Sequence, residues 1–165
     1  MNIRMTQACD WPLLKQARQA ALLDAPTAFG VSYHAAVENS DERWQALASS
    51  DSSPLFWLAL DDHRPVGLIG AGSSQSGRFN LIAMWVEPGA RGTGIASRLV
   101  ETVLNHARDA RYADVYLDVS PQNTQAAQLY LKHGFVFINE WEPLASHPHI
   151  HVQTMVWSDT DAQHA

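Results

Sequence analysis

The chain has 165 residues, 46% of them hydrophobic, and a formal charge of -6. These values suit one globular domain and exclude the basic stripe of a nucleic-acid-binding surface. Cys9 is the single cysteine, which excludes an internal disulfide, and no apolar run approaches the ~20 residues of a membrane helix.

Residues 3–6 read as a first strand, and Asp10 as the cap of a helix from Trp11 to about Leu23, with Pro12 tolerated in its first turn. The stretch Ala25-Pro26-Thr27-Ala28-Phe29-Gly30 breaks that helix. Short helices follow over residues 33–38 and, capped by Ser40, over 41–48. The compact apolar run 55–60 is a strand, Asp61-Asp62-His63-Arg64 a hairpin turn, and 65–73 the returning strand. Residues 80–86 form the next strand, and a helix runs to about Ala110. Residues 114–119 alternate Val115, Leu117 and Val119 against Tyr116 and Asp118, as a strand does. Asn123 caps a helix to about His133, which Gly134 closes. Two last strands, 135–140 and 150–157, are joined by a loop over 141–148. Residues 1–158 make the domain and 159–165 a polar, frayed tail. The start, Met1 to Thr6, lacks the long apolar core of a signal peptide, so a soluble, cytoplasmic protein is expected, without membrane or nucleic-acid partners.

The stretch Val86-Glu87-Pro88-Gly89-Ala90-Arg91-Gly92-Thr93-Gly94-Ile95-Ala96 carries the most chemistry. It leaves an apolar strand and enters a helix whose Ile95, Leu99, Val100, Val103, Leu104 and Ala107 share one face. A helix N-terminus presents amides without intrahelical partners and partial positive charge. Glycine lets a phosphate approach that backbone closely. A phosphate-bearing ligand between Arg91 and Ser97 follows, although a glycine pair alone is also a plain turn before a helix.

With these residues in place, the chain resembles the GNAT superfamily of acyl-CoA-dependent N-acetyltransferases. Arg91-Gly92-Thr93-Gly94-Ile95-Ala96 is similar to the family's pyrophosphate loop, Arg or Gln, two residues, Gly, one residue, then Gly or Ala. Asn123-Thr124-Gln125-Ala126-Ala127-Gln128-Leu129-Tyr130-Leu131-Lys132-His133-Gly134-Phe135 is similar to its later helix, with Asn at the start, Tyr near the end, and Gly-Phe opening the next strand. The resemblance implies an α/β fold, more finely α+β. It has a mixed, mostly antiparallel sheet of six to seven strands, helices on both faces, and a splayed central parallel pair. It implies acetyl-CoA as co-substrate, held by the backbone of Arg91, Gly92, Thr93, Gly94, Ile95, Ala96 and Ser97. The free backbone of Met84, Trp85 and Val86 would pair with pantetheine as an added strand does. Asn123 would touch the pantetheine arm and Tyr130 would lie near its sulfur.

The implied reaction is direct acetyl transfer to a primary amine of a small molecule in a ternary complex. Tyrosine titrates near ~10 and a thiol near ~8.5, so Tyr130 can hold and deliver a proton as the general acid. A backbone N–H, that of Val86, is the candidate oxyanion donor. Some relatives place a Glu as base at the beginning of the fourth strand, where this chain has Asn80; an ordered water chain, or a carboxylate such as Asp118, is the candidate substitute. Phe29 and Trp141 fall in segments that border the acceptor site in relatives. His147, His149 and His151 alternate, but Pro148 interrupts them and no cysteine or carboxylate joins, so no metal is expected. Relatives also suggest a homodimer. Rival readings are a CoA-binding sensor without turnover and a protein N-terminal or lysine acetyltransferase. A nucleotide enzyme is disfavoured by the missing Gly-Lys-Ser/Thr ending and by Ser97 in place of a third glycine.

Overall fold

The computed structural model describes residues 1–51 and 53–159; of the polar tail expected from residue 159 onward, residues 160–165 lie outside the described residues. In chain order the elements are β1 (Asn2–Met5), α1 (Trp11–Asp24), α2 (Tyr33–Val37), α3 (Asp41–Ala48), β2 (Leu55–Asp61), β3 (Arg64–Ser73), β4 (Phe79–Val86), α4 (Ile95–Asp109), β5 (Asp114–Val119), α5 (Thr124–Lys132), β6 (Val136–Leu144) and β7 (His147–Ser158). The strands form one seven-stranded sheet in the order β1-β2-β3-β4-β5-β7-β6. Neighbours are antiparallel except β4 and β5, which are parallel. This is the mixed sheet expected from the element order, since the hairpins give antiparallel pairs and the α4 crossover a parallel one.

Apolar side chains cover both faces of the sheet. The six α4 residues placed on one helical face by their spacing are the six that are buried. They pack with Leu81, Val115, Leu117 and Met155 on one side of the sheet. Leu14, Ala17, Ala21 and Leu22 of α1 bury against Trp44, Leu58, Leu68 and Trp85 on the other. The helices α1–α3 therefore lean on β2, β3 and β4.

Two local readings are corrected. Asp10 precedes α1 but does not cap it with its side chain. Its carboxylate instead accepts both terminal nitrogens of Arg4, at 2.7 and 2.8 Å, and the Gln7 N–H at 2.8 Å. A nearby fork of charged donors outcompetes a single amide for a carboxylate. The loop expected over 141–148 is mostly strand: β6 continues to Leu144 and β7 resumes at His147. Pro148 is tolerated because the ladder is irregular there, between Pro143 and Leu144, so a missing N–H breaks no regular bond.

The Arg4–Asp10 pair makes a testable contribution. The Arg4 guanidinium, assisted by the Gln7 amide and opposed by burial, holds the Asp10 carboxyl below the usual carboxylate range. A depressed native value means stability that is present above the unfolded value of about 3.9 and lost as pH falls through the native one. Asp10→Asn is expected to cost about 1–3 kcal/mol in urea unfolding at pH 7 and to flatten the acid limb of stability against pH. An unchanged unfolding midpoint would remove this role.

Candidate active site

The centre of the sheet is open because β4 is not straight. Its register against β3 steps from Leu68↔Trp85 to Gly70↔Ile82, so Ala83 and Met84 together face the single residue Ile69. Ala83 takes φ +59°. A bulge bends its strand, and the left-handed conformation costs a non-glycine residue about 1–2 kcal/mol. Among the described residues, β4 and β5 share one register pair, Asn80↔Tyr116. Beyond it the strands part.

A cleft of about 530 Å³ fills the parting, lined by residues 81–86 of β4 and by Leu117, Asp118 and Val119 of β5. The Glu87 N–H donates to the Val66 carbonyl at 2.8 Å. Ladder groups alternate in direction along a strand, so the Val86 N–H points away from β3 and into the gap.

The same cleft reaches the glycine turn, where Arg91, Gly92, Gly94, Ile95 and Ala96 line it. Gly92 and Gly94 have φ +80° and +86°, and Gly94 is the N-cap of α4. The first amides of this helix are therefore aimed at the cleft with no intrahelical acceptor. Arg91 turns its side chain inward: Nε donates to the Val86 carbonyl at 3.0 Å, and a terminal nitrogen donates to Asp24 at 2.5 Å. Thr93 donates to the Ala90 carbonyl. Thr93 and Ser97, expected to contribute backbone to the loop, are not among the residues lining this cleft.

Helix α5 supplies the opposite wall. Asn123 caps it, its side-chain oxygen accepting the Ala126 N–H at 3.4 Å, and lines the cleft with Tyr130. Tyr130 is 7% exposed and packs edge-on against Phe135. Its hydroxyl has no hydrogen-bond partner among the described residues, and burial pushes its pKa well above the usual phenol value. The ring is buried, but the hydroxyl oxygen is not among the fully buried unpaired atoms, which fits an oxygen open to the cleft that Tyr130 lines.

Of the two acceptor-side aromatics, Phe29 lines the cleft, whereas Trp141 is 53% exposed and lies outside its lining. Asp118 lies at the cleft, and its carboxylate accepts the Thr154 hydroxyl at 2.6 Å. Asn80 is occupied, donating to the Arg78 carbonyl at 3.0 Å. His147 and His149 stack edge-on at 6.0 Å, and no grouping of three or more potential metal ligands occurs among the described residues.

Two participants carry no local sequence signal. Asp24, at the end of α1, accepts from both Arg91 and the Trp85 indole N–H, tying the glycine turn to β4 and α1. Glu142 on β6 lies beside Asp118, and that neighbouring carboxylate pushes the Glu142 carboxyl up. Both meet their partners only across the sheet. A heptad-like or alternating pattern cannot announce them.

Comparison with known proteins agrees with this geometry. The sequence matches the acetyltransferase (GNAT) family over residues 16–135, and the chain belongs to that family. The enzyme class expected from its two motifs, an acetyltransferase, is the class of the family. N-acetyltransferase 8B of Rattus norvegicus is 39% identical over 99 residues, covering 57% of this chain and 45% of the relative. N-acetyltransferase 8B of Homo sapiens is 37% identical over 91 residues, covering 52% and 40%. The chain thus spans less than half the length of these curated relatives. A Streptococcus pneumoniae acetyltransferase of the GNAT family has the same fold, with a TM-score of 0.80 at 20% identity, covering 95% of this chain and 98% of that one. So does yncA of Salmonella typhimurium, solved with its cofactor acetyl-CoA, at TM-score 0.77 and 15% identity, covering 96% and 93%. No helix among the described residues is long and apolar enough to cross a membrane.

Proposed function

We propose that this protein transfers acetyl from acetyl-CoA to the primary amine of a small molecule, by direct attack within a ternary complex. The observation that carries the reading is one cleft joining orphan helix amides, a split sheet and an unpaired Tyr130 hydroxyl. The diphosphate suits the amides at Gly92–Ala96, and the pantetheine arm suits the open edge of β4 at Met84, Trp85 and Val86, with Asn123 beside it. The chain's similarity to N-acetyltransferases supports the same donor.

The chemistry follows from these positions. Asp118, with Glu142 behind it, takes the proton of the incoming ammonium. The amine nitrogen then bonds to the thioester carbonyl carbon and releases its second proton to solvent as the amide forms. The Val86 N–H steadies the oxygen as charge develops there, and the carbon–sulfur bond breaks as the tetrahedral species collapses. Tyr130 gives its proton to the departing thiolate and recovers one from solvent. The dryness that raises the phenol also raises the basicity of the sulfur, so donor and acceptor remain matched.

Incubation with acetyl-CoA and a panel of amines, following release of free CoA thiol, tests the reading. Acetyl-CoA binding without thiol release for any amine would leave a binding module; tighter binding of ATP or NAD in calorimetry would overturn the donor. The base is tested separately. Glu142→Gln removes the negative charge that resists full ionisation of the pair, so the acid limb of kcat/KM is expected to move to lower pH. A limb that stays where it was would take the pair out of the proton path.

A further inference from the structure

On α1, the Arg18 guanidinium has no ion-pair or hydrogen-bond partner among the described residues. Arg18 lies two helical turns before Ala25, on the stripe that also carries Leu14, Ala21 and Leu22, and Ala25 lines the cleft. Its guanidinium carbon stands 5.0 Å from the centroid of the Phe29 ring, itself part of the cleft wall. One terminal nitrogen is fully buried without a hydrogen-bond partner. Burial alone holds the Arg18 pKa down, to about 10, with no carboxylate contributing. The nearby Asp24 is engaged by Arg91 and Trp85.

A guanidinium offers five donors in a fork that fits a carboxylate, and burying it unpaired is strongly unfavourable. Retaining one for packing has little rationale, since methionine would fill similar space without the charge. The segment around it is shaped as a wall. Ser146, in the turn between β6 and β7, donates to the Phe29 carbonyl at 2.5 Å and holds the ring beneath Arg18. Asp118 lines the β5 side of the same cleft, with Glu142 beside it. Arg18 is not itself among the residues lining the cleft; it stands behind Phe29, which is, so a cation backs the helical wall of the cleft while the Asp118 carboxylate lies on its sheet side.

We propose that Arg18 is a specificity-determining residue that binds an anionic group, a carboxylate, on the acceptor, so that the amines acetylated are those also carrying a carboxylate. This rests on the acetyl-transfer reading above. An amine at Asp118 and a carboxylate at Arg18 orient the acceptor from both ends, with the nitrogen toward the thioester. Lysine side chains and protein N-termini lack such a neighbouring carboxylate and fit this arrangement less well.

The test uses matched pairs of acceptors, amino acids and the amines left by their decarboxylation, such as phenylalanine and 2-phenylethylamine. Wild-type enzyme is expected to prefer the carboxylated member in kcat/KM by tenfold or more for at least one pair. Arg18→Met is expected to abolish that preference, chiefly through KM, while acetyl-CoA binding in calorimetry stays unchanged. The same variant is expected to keep or raise the melting temperature, because it removes a half-buried charge without a polar partner. A structural arginine would instead lower it. Equal use of both members by the wild type overturns the proposal, as does a preference that survives in Arg18→Met. Loss of acetyl-CoA affinity in that variant also overturns it, by assigning the anion to the donor. Failure of every amine, carboxylated or not, would strike the acetyl-transfer reading itself.

Discussion

Tyr130→Phe is expected to lower kcat by about 10²–10⁴-fold, the range of general acid catalysis, while acetyl-CoA binding and the melting temperature change little. The structure makes this an unusually clean substitution. The hydroxyl has no hydrogen-bond partner among the described residues, so its removal leaves no donor or acceptor orphaned. The ring keeps its edge-on contact with Phe135 at 5.8 Å and its place in the core. Any loss of turnover is then loss of a proton donor, not of packing. The effect should fall on kcat and kcat/KM together, as for an interaction made only in the transition state. Full turnover in the variant would take Tyr130 out of the chemistry.

The second large effect concerns the glycine turn. Gly94→Val is expected to weaken acetyl-CoA binding by tenfold or more. Gly94 has φ +86°, and a Cβ built on it meets nothing within 4 Å. A side chain there would project into the open face of the turn, where the diphosphate is expected, and the left-handed backbone would be strained as well. Strain and obstruction are separable by a control. Gly77, in the turn between β3 and β4, has φ +83° and equally open space but does not line the cleft. Gly77→Val should lose comparable stability and leave acetyl-CoA affinity intact. Equal affinity for acetyl-CoA in both variants would remove the diphosphate from this turn.

The pairing of Asp24 with Arg91 and Trp85 ties the turn to α1 and β4. Three segments, the end of α1, the end of β4 and the loop before α4, meet on one carboxylate. The arginine of the motif thus acts here as a brace for backbone amides more than as a free cation in the cleft. Charge alone, read from the motif, suggests the opposite emphasis.

Local information in the chain was enough for the element order, for the buried face of α4 and for the residues around the helix N-terminus and α5 that converge on the cleft. Helical period, strand alternation, caps and glycine turns act over a few residues, so they are written in neighbouring letters. What surrounds those residues was decided elsewhere. The bulge at Ala83 and Met84 depends on how β4 registers against Ile69 of β3. The extension of β6 and β7 through the expected loop depends on their pairing with each other, which overrides Pro148. Glu142 meets Asp118, and Arg18 meets Phe29, only because the sheet and α1 bring distant segments together. Register, burial and the pairing of charges are properties of contacts between segments, and only the folded chain specifies those contacts.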